Sequence, residues 1–255
     1  MRADLLGCSV DILTMTETVE RVQVAMRDRR RLHHVALNVA KFVNMRSDNV
    51  LRSDVLGSDL IGIDGMGIVL ALRMLGIPVQ ERVTGIDLCW QVLSVCARDG
   101  FRPFLLGATP DVLHRAASVI EKQFPSIQIA GLRDGYFRAD QEEEVVQQII
   151  NSKADCLFIA MPTPRKERFL SAHKDRLLVP FIMGVGGSLD VIAGHVRRAP
   201  PLMQSMGLEW LYRVYQEPRR MWWRYTKTNV MFAAILVRAF FSQQSIGPRR
   251  LSRSG

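Results

Sequence analysis

A doubly wound α/β body with a basic helical appendage is predicted by three features of this 255-residue chain. Between residues 103 and 184, short apolar runs alternate with segments of helical period, the rhythm of parallel strands joined by right-handed crossovers. The apolar runs are short and continuous, which suits strands covered on both faces, and several end in glycine: Gly107, Gly131 and Gly184. Charge is also segregated. The whole chain carries +9, and residues 196–255 supply all of it, with 11 Arg and Lys against Glu209 and Glu217. The first 195 residues balance at 23 basic and 23 acidic. A neutral body with a cationic tail calls for an anionic partner: a membrane surface, a nucleic acid or a phosphorylated substrate.

The elements follow in order. Thr14 and Glu17 have the spacing of a capping box and open a helix running to about Arg30. Leu32–Asn38 reads as a strand, and Asp59–Ile63 as another ending at Asp64-Gly65. A helix from about Met66 to Leu75 is stopped by Gly76 and Pro78. Leu88, Val92 and Val95 repeat at helical spacing within 87–98. Strands are then expected at 103–106, 127–130, 156–161 and 178–183. Helices are expected at 110–123, 141–151 and 164–173. Together these make a Rossmann-like body over residues 1–195. Ala199-Pro200-Pro201 breaks the rhythm. Residues 196–242 are expected to form the appendage, with helices at 202–215 and 219–241 separated by Pro218, and 243–255 to be a disordered tail.

Composition excludes several classes. At 48% apolar and 23% charged, the chain is an ordinary folded one. No apolar run reaches the roughly 18 residues of a spanning helix, and the acids near the N-terminus do not suit a signal peptide. Cys8, Cys89, Cys96 and Cys156 are scattered without a CxxC pair, so they read as apolar residues in a reducing cytosol rather than zinc ligands. Neither GxGxxG after the first strand nor GxxxxGK[ST] occurs, which argues against a dinucleotide oxidoreductase and a P-loop ATPase.

Open α/β sheets bind ligands beyond the carboxyl ends of their strands. There lie Asn38, Asp64-Gly65-Met66-Gly67, Gly107-Ala108-Thr109, Asp134-Gly135-Tyr136, Pro162-Thr163-Pro164-Arg165-Lys166-Glu167 and Gly184-Val185-Gly186-Gly187-Ser188-Leu189-Asp190. Glycine turns entering helices can hold a phosphate, yet any α/β protein needs such turns structurally. Asp64 has a bland reading as a helix cap. His33 and His34 fit a structural place in a strand, and His195 an exposed one. Trp222-Trp223 within a basic helix suits a site with one apolar and one wet side, such as a membrane interface.

Six runs stand in a telling order. They are Ile63-Asp64-Gly65, Glu81-Arg82-Val83-Thr84-Gly85-Ile86-Asp87-Leu88, Phe104-Leu105-Leu106-Gly107, Gly131 with Gly135-Tyr136-Phe137, the 184–190 run, and Arg198-Ala199-Pro200 followed by 207–213 and 217–220. Together they resemble the WecG/TagA/CpsF family of bacterial glycosyltransferases (glycosyltransferase family 26) over about residues 5–225. The resemblance implies an inverting, β-forming transfer from a UDP-sugar to a polyprenyl-diphosphate-linked saccharide. It also implies work at the cytoplasmic face of the membrane, with no metal or other cofactor. On the matching positions, Asp64 is the expected general base and Asn38 an active-site residue. Arg82 precedes the Gly-x-Asp run, and Arg213, Arg220 and Arg224 are expected to close over the diphosphate. Gly107, Tyr136, Lys166, Glu167, Gly186, Gly187 and Asp190 complete the expected substrate-binding set.

Two positions depart from the family pattern. Pro162-Thr163-Pro164-Arg165-Lys166-Glu167 replaces the common Gly-Ser-Pro-Lys-Gln-Glu, and Ala36 stands where a Thr is usual. Both disfavour an N-acetylmannosamine donor, and the Pro162-Thr163-Pro164 version resembles the exopolysaccharide branch, of the xanthan glucosyltransferase kind. UDP-glucose is the expected donor. UDP-glucuronate is an alternative, since Lys166 could meet a carboxylate, and an N-acetylmannosamine or N-acetylmannosaminuronate transferase is another. The expected partners are the UDP-sugar, the lipid-linked acceptor and an anionic membrane, with a homo-oligomer left open. A nucleic-acid binder using the tail, and a lipid-binding scaffold without catalysis, are the non-enzyme readings; a neutral body and the retained Asp64 and arginines argue against them. The 222–241 helix is expected to lie on the membrane, the alternative being that it packs on protein.

Overall fold

The structure is a computed structural model and describes residues 1–244; within the last helix the side chains of Arg220, Met221, Arg224, Phe240 and residues 242–244 are not described. Eight strands form one sheet in the order β1-β2-β4-β3-β8-β7-β5-β6. They are β1 (Arg2–Asp4), β2 (Ser9–Asp11), β3 (Leu32–Leu37), β4 (Leu60–Ile63), β5 (Pro103–Gly107), β6 (Gly131–Arg133), β7 (Cys156–Ala160) and β8 (Phe181–Gly184). Strand β1 runs antiparallel to β2, and the other pairings are parallel.

The helices fall on two faces, as the side-chain alternation of the strands dictates. On one face α1 (Met15–Arg27), α5 (Gly85–Asp99), α6 (Pro110–Gln123) and the short α9 (Ser188–Ile192) bury Val22, Leu88, Val92, Leu113 and Leu189 against Leu105, Phe158, Phe181 and Met183. On the other, α2 (Val39–Asn44), α3 (Asn49–Leu56) and α4 (Met66–Met74) cover Val35, Leu37, Ile61 and Ile63. There too α7 (Glu142–Ser152) and α8 (Arg165–His173) cover Leu106, Leu157, Ile159 and Ile182. Local signals explain the helix ends. Thr14 and Glu17 make the expected reciprocal capping box. Thr84 and Thr109 each accept from a backbone N–H three residues on. Gly100 ends α5 in the left-handed conformation.

Several expectations need correction. The run 127–130 is not a strand; the edge strand is Gly131–Arg133, so Gly131 opens it rather than closing it. A Cβ at Gly131 would lie 2.6 Å from the Phe104 ring, so glycine is there for strand packing. The N-terminal hairpin and helices α2 and α3 carried too short a pattern to be read. The helix expected over 202–215 is two, α10 (Pro201–Ser205) and α11 (Glu209–Gln216), broken at Gly207 with φ +72°. Any side chain at Gly207 would also collide with Met66 at 2.5 Å.

The last helix, α12 (Pro218–Gln244), contains no acidic residue. One side packs on the body: Phe232 is buried edge-on against Phe42 at 5.5 Å, beside Ile235 and Leu236. The opposite side leaves Trp223, Val230 and Val237 exposed, with Lys227 and Arg238 alongside. The two expected fates of this helix are therefore not exclusive, because packing uses one side and leaves an apolar stripe on the other. Among the described residues no helix is long and apolar enough to cross a membrane. The tail at 243–255 lies outside the described residues apart from the end of α12.

Candidate active site

Strands β3 and β8 are neighbours, with His33 opposite Ile182, but their following helices go to opposite faces: β3 leads into α2 and β8 into α9. That divergence opens a crevice at the carboxyl edge of the sheet, the place where open α/β folds hold ligands. A second divergence lies between β5, which leads to α6, and β7, which leads to α8. Asn38, Asp64, Gly107 and the 184–190 turn end or follow strands at this carboxyl edge.

Asp64 follows β4 beside the end of β3, where its own N–H and that of Gly65 donate to Leu37 O. It does not cap α4; Gly65 holds that place without a side-chain bond. Instead Asp64 Oδ1 accepts from Gly85 N–H, in the first turn of α5, at 2.9 Å. Enclosure raises the Asp64 carboxyl above the ordinary carboxylate range. The Gly85 bond and the positive charges of Arg82 and Arg213 pull the other way, while Glu209 adds to the rise. A carboxylate oriented by one hydrogen bond and made more basic by its surroundings suits a general base. Asn38, the cap of α2, accepts from Lys41 N–H at 3.0 Å and packs within 3.2 Å of where a Cβ on Gly65 would stand. That leaves the amide N–H groups of Asn38 without a partner among the described residues.

Arg82 binds the appendage. It donates to Glu209 at 2.7 Å and to Gln204 O at 3.2 Å. Arg198 grips Asp87 with both terminal nitrogens at 2.7 Å. These paired forks hold α10 and α11 against the first turn of α5, and so carry Arg213 to the crevice. The guanidinium of Arg213 lies 3.6 Å from where a Cβ on Gly187 would be, and Asp190 Oδ2 lies 3.7 Å from the same point. Neither Arg213 nor Asp190 has a side-chain hydrogen bond or ion pair among the described residues. Gly186, with φ +52°, and Gly187 form the turn beneath them. Arg220 and Arg224 stand on α12, but their side chains lie outside the described residues.

At the second crevice Gly107 adopts φ +115° and approaches Ala160 so closely that a Cβ would sit 2.5 Å from its carbonyl carbon. The loop carrying Tyr136 docks there: Gly135 N–H donates to Ala108 O at 3.0 Å. Arg165, at the start of α8, donates to Gly135 O and Phe137 O and stacks over the Phe137 ring. The Tyr136 side chain itself is 74% exposed at the rim.

Lys166 and Glu167, expected to bind substrate, are both buried. Lys166 is only 6% exposed, its stem lying across the face of Gly184. Its ammonium is 3.2 Å from Glu167 Oε1, which Lys41 also meets at 3.0 Å and Thr163 at 3.1 Å. Burial, then the like charge of Lys41, lowers Lys166 to about 8. Burial raises Glu167, but the two ammonium groups outweigh it and bring it down to about 2. Two cations thus share one carboxylate, whose second oxygen is buried without a partner among the described residues. Lys41 was missed from sequence, where a lone lysine in an unrecognised helix gave no signal. His33 and His34 are buried and held neutral, with values near 3, chiefly by burial. His195 is exposed and the four cysteines are free and buried. Among the described residues no group of three His, Cys, Asp or Glu side chains is placed to hold a metal ion.

A mainly parallel α/β sheet thus brings a carboxylate, an arginine without a side-chain partner among the described residues, and glycine turns to its carboxyl edge. The model of the WecG/TagA/CpsF glycosyl transferase family matches residues 3–246, and the chain belongs to that family. It is accordingly a glycosyltransferase acting on a nucleotide sugar, and acceptors in this family are in general lipid-linked.

Proposed function

We propose that the protein transfers glucose from UDP-glucose, with inversion, to a polyprenyl-diphosphate-linked saccharide in exopolysaccharide synthesis. The observation that carries this reading is Asp64 at the end of β4, held by Gly85 N–H, with the positive charges of Arg82 and Arg213 acting on it. Asp64 removes the proton from the acceptor hydroxyl, whose oxygen attacks C1 of the sugar on the side away from UDP. The C1–oxygen bond breaks and its electron pair leaves with the β-phosphate. Arg213, with Arg220 and Arg224 from α12, neutralises that charge through N–H donors, so no metal is required. The Gly186-Gly187 turn lets backbone come close to the diphosphate, and Asp190 offers acceptors to the nucleoside. Tyr136 supplies an aromatic face for the uracil. Asn38 uses its free amide donors on the sugar or acceptor, and Arg82 keeps the appendage in place. Lys166 and Glu167 form the floor beneath the sugar.

One observation favours a second donor. The Lys41–Glu167–Lys166 cluster carries one positive charge in excess, which a sugar carboxylate would neutralise; that donor is UDP-glucuronate. A panel of UDP-sugars with extracted lipid-linked acceptor separates the readings: UDP release is expected to be fastest with UDP-glucose. Lys166→Gln removes the surplus cation and leaves Lys41 on Glu167, so it is expected to fold normally. It should change the ranking of donors more than it changes UDP affinity. An unchanged ranking would show that Lys166 does not act on the sugar.

The reading places the enzyme on the cytoplasmic side of the membrane as a peripheral protein, with the exposed stripe of α12 in the headgroup region. Each Lys or Arg near anionic lipid adds about 1 kcal/mol to such binding, and the helix offers no acid to oppose it. Replacing Trp223, Val230 and Val237 by Ser keeps every arginine. This variant should lose sedimentation with anionic vesicles while still turning over a detergent-dispersed acceptor. Retained vesicle binding would contradict the membrane placement.

A further inference from the structure

Helix α4 presents an anomaly of its own. Its sequence, Met66 to Met74, is apolar nearly all round, a pattern that normally means burial on every side. Ile68, Val69, Ala71 and Leu72 are indeed buried. Leu70 and Met74, however, are 52% and 59% exposed on the outer side of the helix. They stand four residues apart and thus one above the other. Met66 continues the same row inward, where it is covered by the α10–α11 turn at Gly207. Leu202 on α10 and Met206 just after it are exposed as well. Gly67, on the flank of α4, abuts Phe232 of α12. Helix α4 thus touches both α12 and the turn after α10, and large apolar exposures on neighbouring elements mark a binding surface.

We infer that Leu70 and Met74 of the catalytic body are a second lipid contact, which sets the active site against the bilayer at a fixed height. The occupant is an anionic lipid surface rather than a protein, because α12, which α4 touches at Gly67, is acid-free and exposes Arg219, Lys227 and Arg238. The inference rests on the peripheral placement proposed above and adds a function for the placement. Leu70 is four residues into α4, a rise of about 6 Å from Met66, and Asp64 stands two residues before Met66. A lipid surface touching Leu70 thus lies within a short reach of the base. A diphosphate-linked saccharide leaving the bilayer needs such a reach, whereas α12 alone could bind lipid with the crevice turned in any direction.

The test uses the full chain and phosphatidylcholine vesicles containing phosphatidylglycerol. Leu70→Ser with Met74→Ser is compared with wild type and with the Trp223/Val230/Val237→Ser variant; thermal melts confirm folding, since both positions are more than half exposed. Loss of two inserted side chains should weaken vesicle partitioning about tenfold or more. Transfer to acceptor embedded in vesicles should fall, while transfer to a water-soluble acceptor analogue persists. If the α12 variant loses vesicle binding and the α4 variant does not, α4 is no lipid contact and only this inference fails. If neither variant loses it, the peripheral placement fails and the inference with it. If wild type is an oligomer in solution that the α4 variant dissociates, the surface belongs to a second copy of the chain and the inference is overturned.

Discussion

Asp64→Asn is expected to lower turnover by about 10²–10⁴ while leaving UDP affinity close to wild type. The amide keeps the size of the carboxylate and can still accept from Gly85 N–H, but it cannot take a proton. The raised pKa of Asp64 makes two further outcomes specific. Wild-type kcat/KM should fall toward acid as the carboxyl protonates, at a pH above the ordinary carboxylate range, and the variant should lack that limb. The sign for stability is the reverse of the usual acidic residue. A carboxyl whose pKa is higher folded than unfolded favours the native state at low pH and disfavours it once ionised. The neutral amide removes that penalty, so the variant should melt at a higher temperature than wild type near neutrality, as strained active sites commonly allow. Steady-state kinetics across pH together with a thermal melt check all three. Turnover near wild type would remove Asp64 from the chemistry.

The largest loss of stability is expected from Glu167→Leu. Lys41 and Lys166 would then face each other in a buried space with no anion, and breaking a buried ion pair from one side costs about 3–5 kcal/mol. Adding Lys166→Gln to Glu167→Leu should recover part of the loss, because one of the two orphaned charges is gone. Denaturant melts of the single and double variants measure this directly. A Glu167→Leu protein as stable as wild type would mean that the cluster is hydrated in solution rather than dry.

The parallel core of the fold was readable because strands β5, β7 and β8 are continuous apolar runs separated by helices of ordinary length. What could not be read has physical causes. Strands β1 and β2 are three residues each, too short to show a period, and α2 is a six-residue helix that starts directly from its cap at Asn38. The strand near 130 was displaced because Ile127 and Ile129 are apolar by contact with the α5–α6 side of the core, not by sheet pairing. At the site, Asp64, Asn38, Gly107 and the 184–190 turn stand where strand-end reasoning puts them. The setting of Asp64 did not follow from sequence. Its partner is a backbone N–H 21 residues away on another helix, a contact visible only once α5 is folded across the edge of the sheet. Lys166 shows the same limit: its place beneath Gly184 depends on the missing Cβ there, and its shared carboxylate on Lys41 from an unrelated helix.

The central claim is a single displacement at C1 driven by Asp64 as base. It is tested most directly by the anomeric configuration of the product made from UDP-α-glucose and the lipid-linked acceptor, read by NMR after release of the saccharide. A lone base on the acceptor requires attack opposite UDP, so the account predicts a β-linked product from every turnover. An α-linked product, which would need a nucleophile on the enzyme or same-side attack, would contradict it.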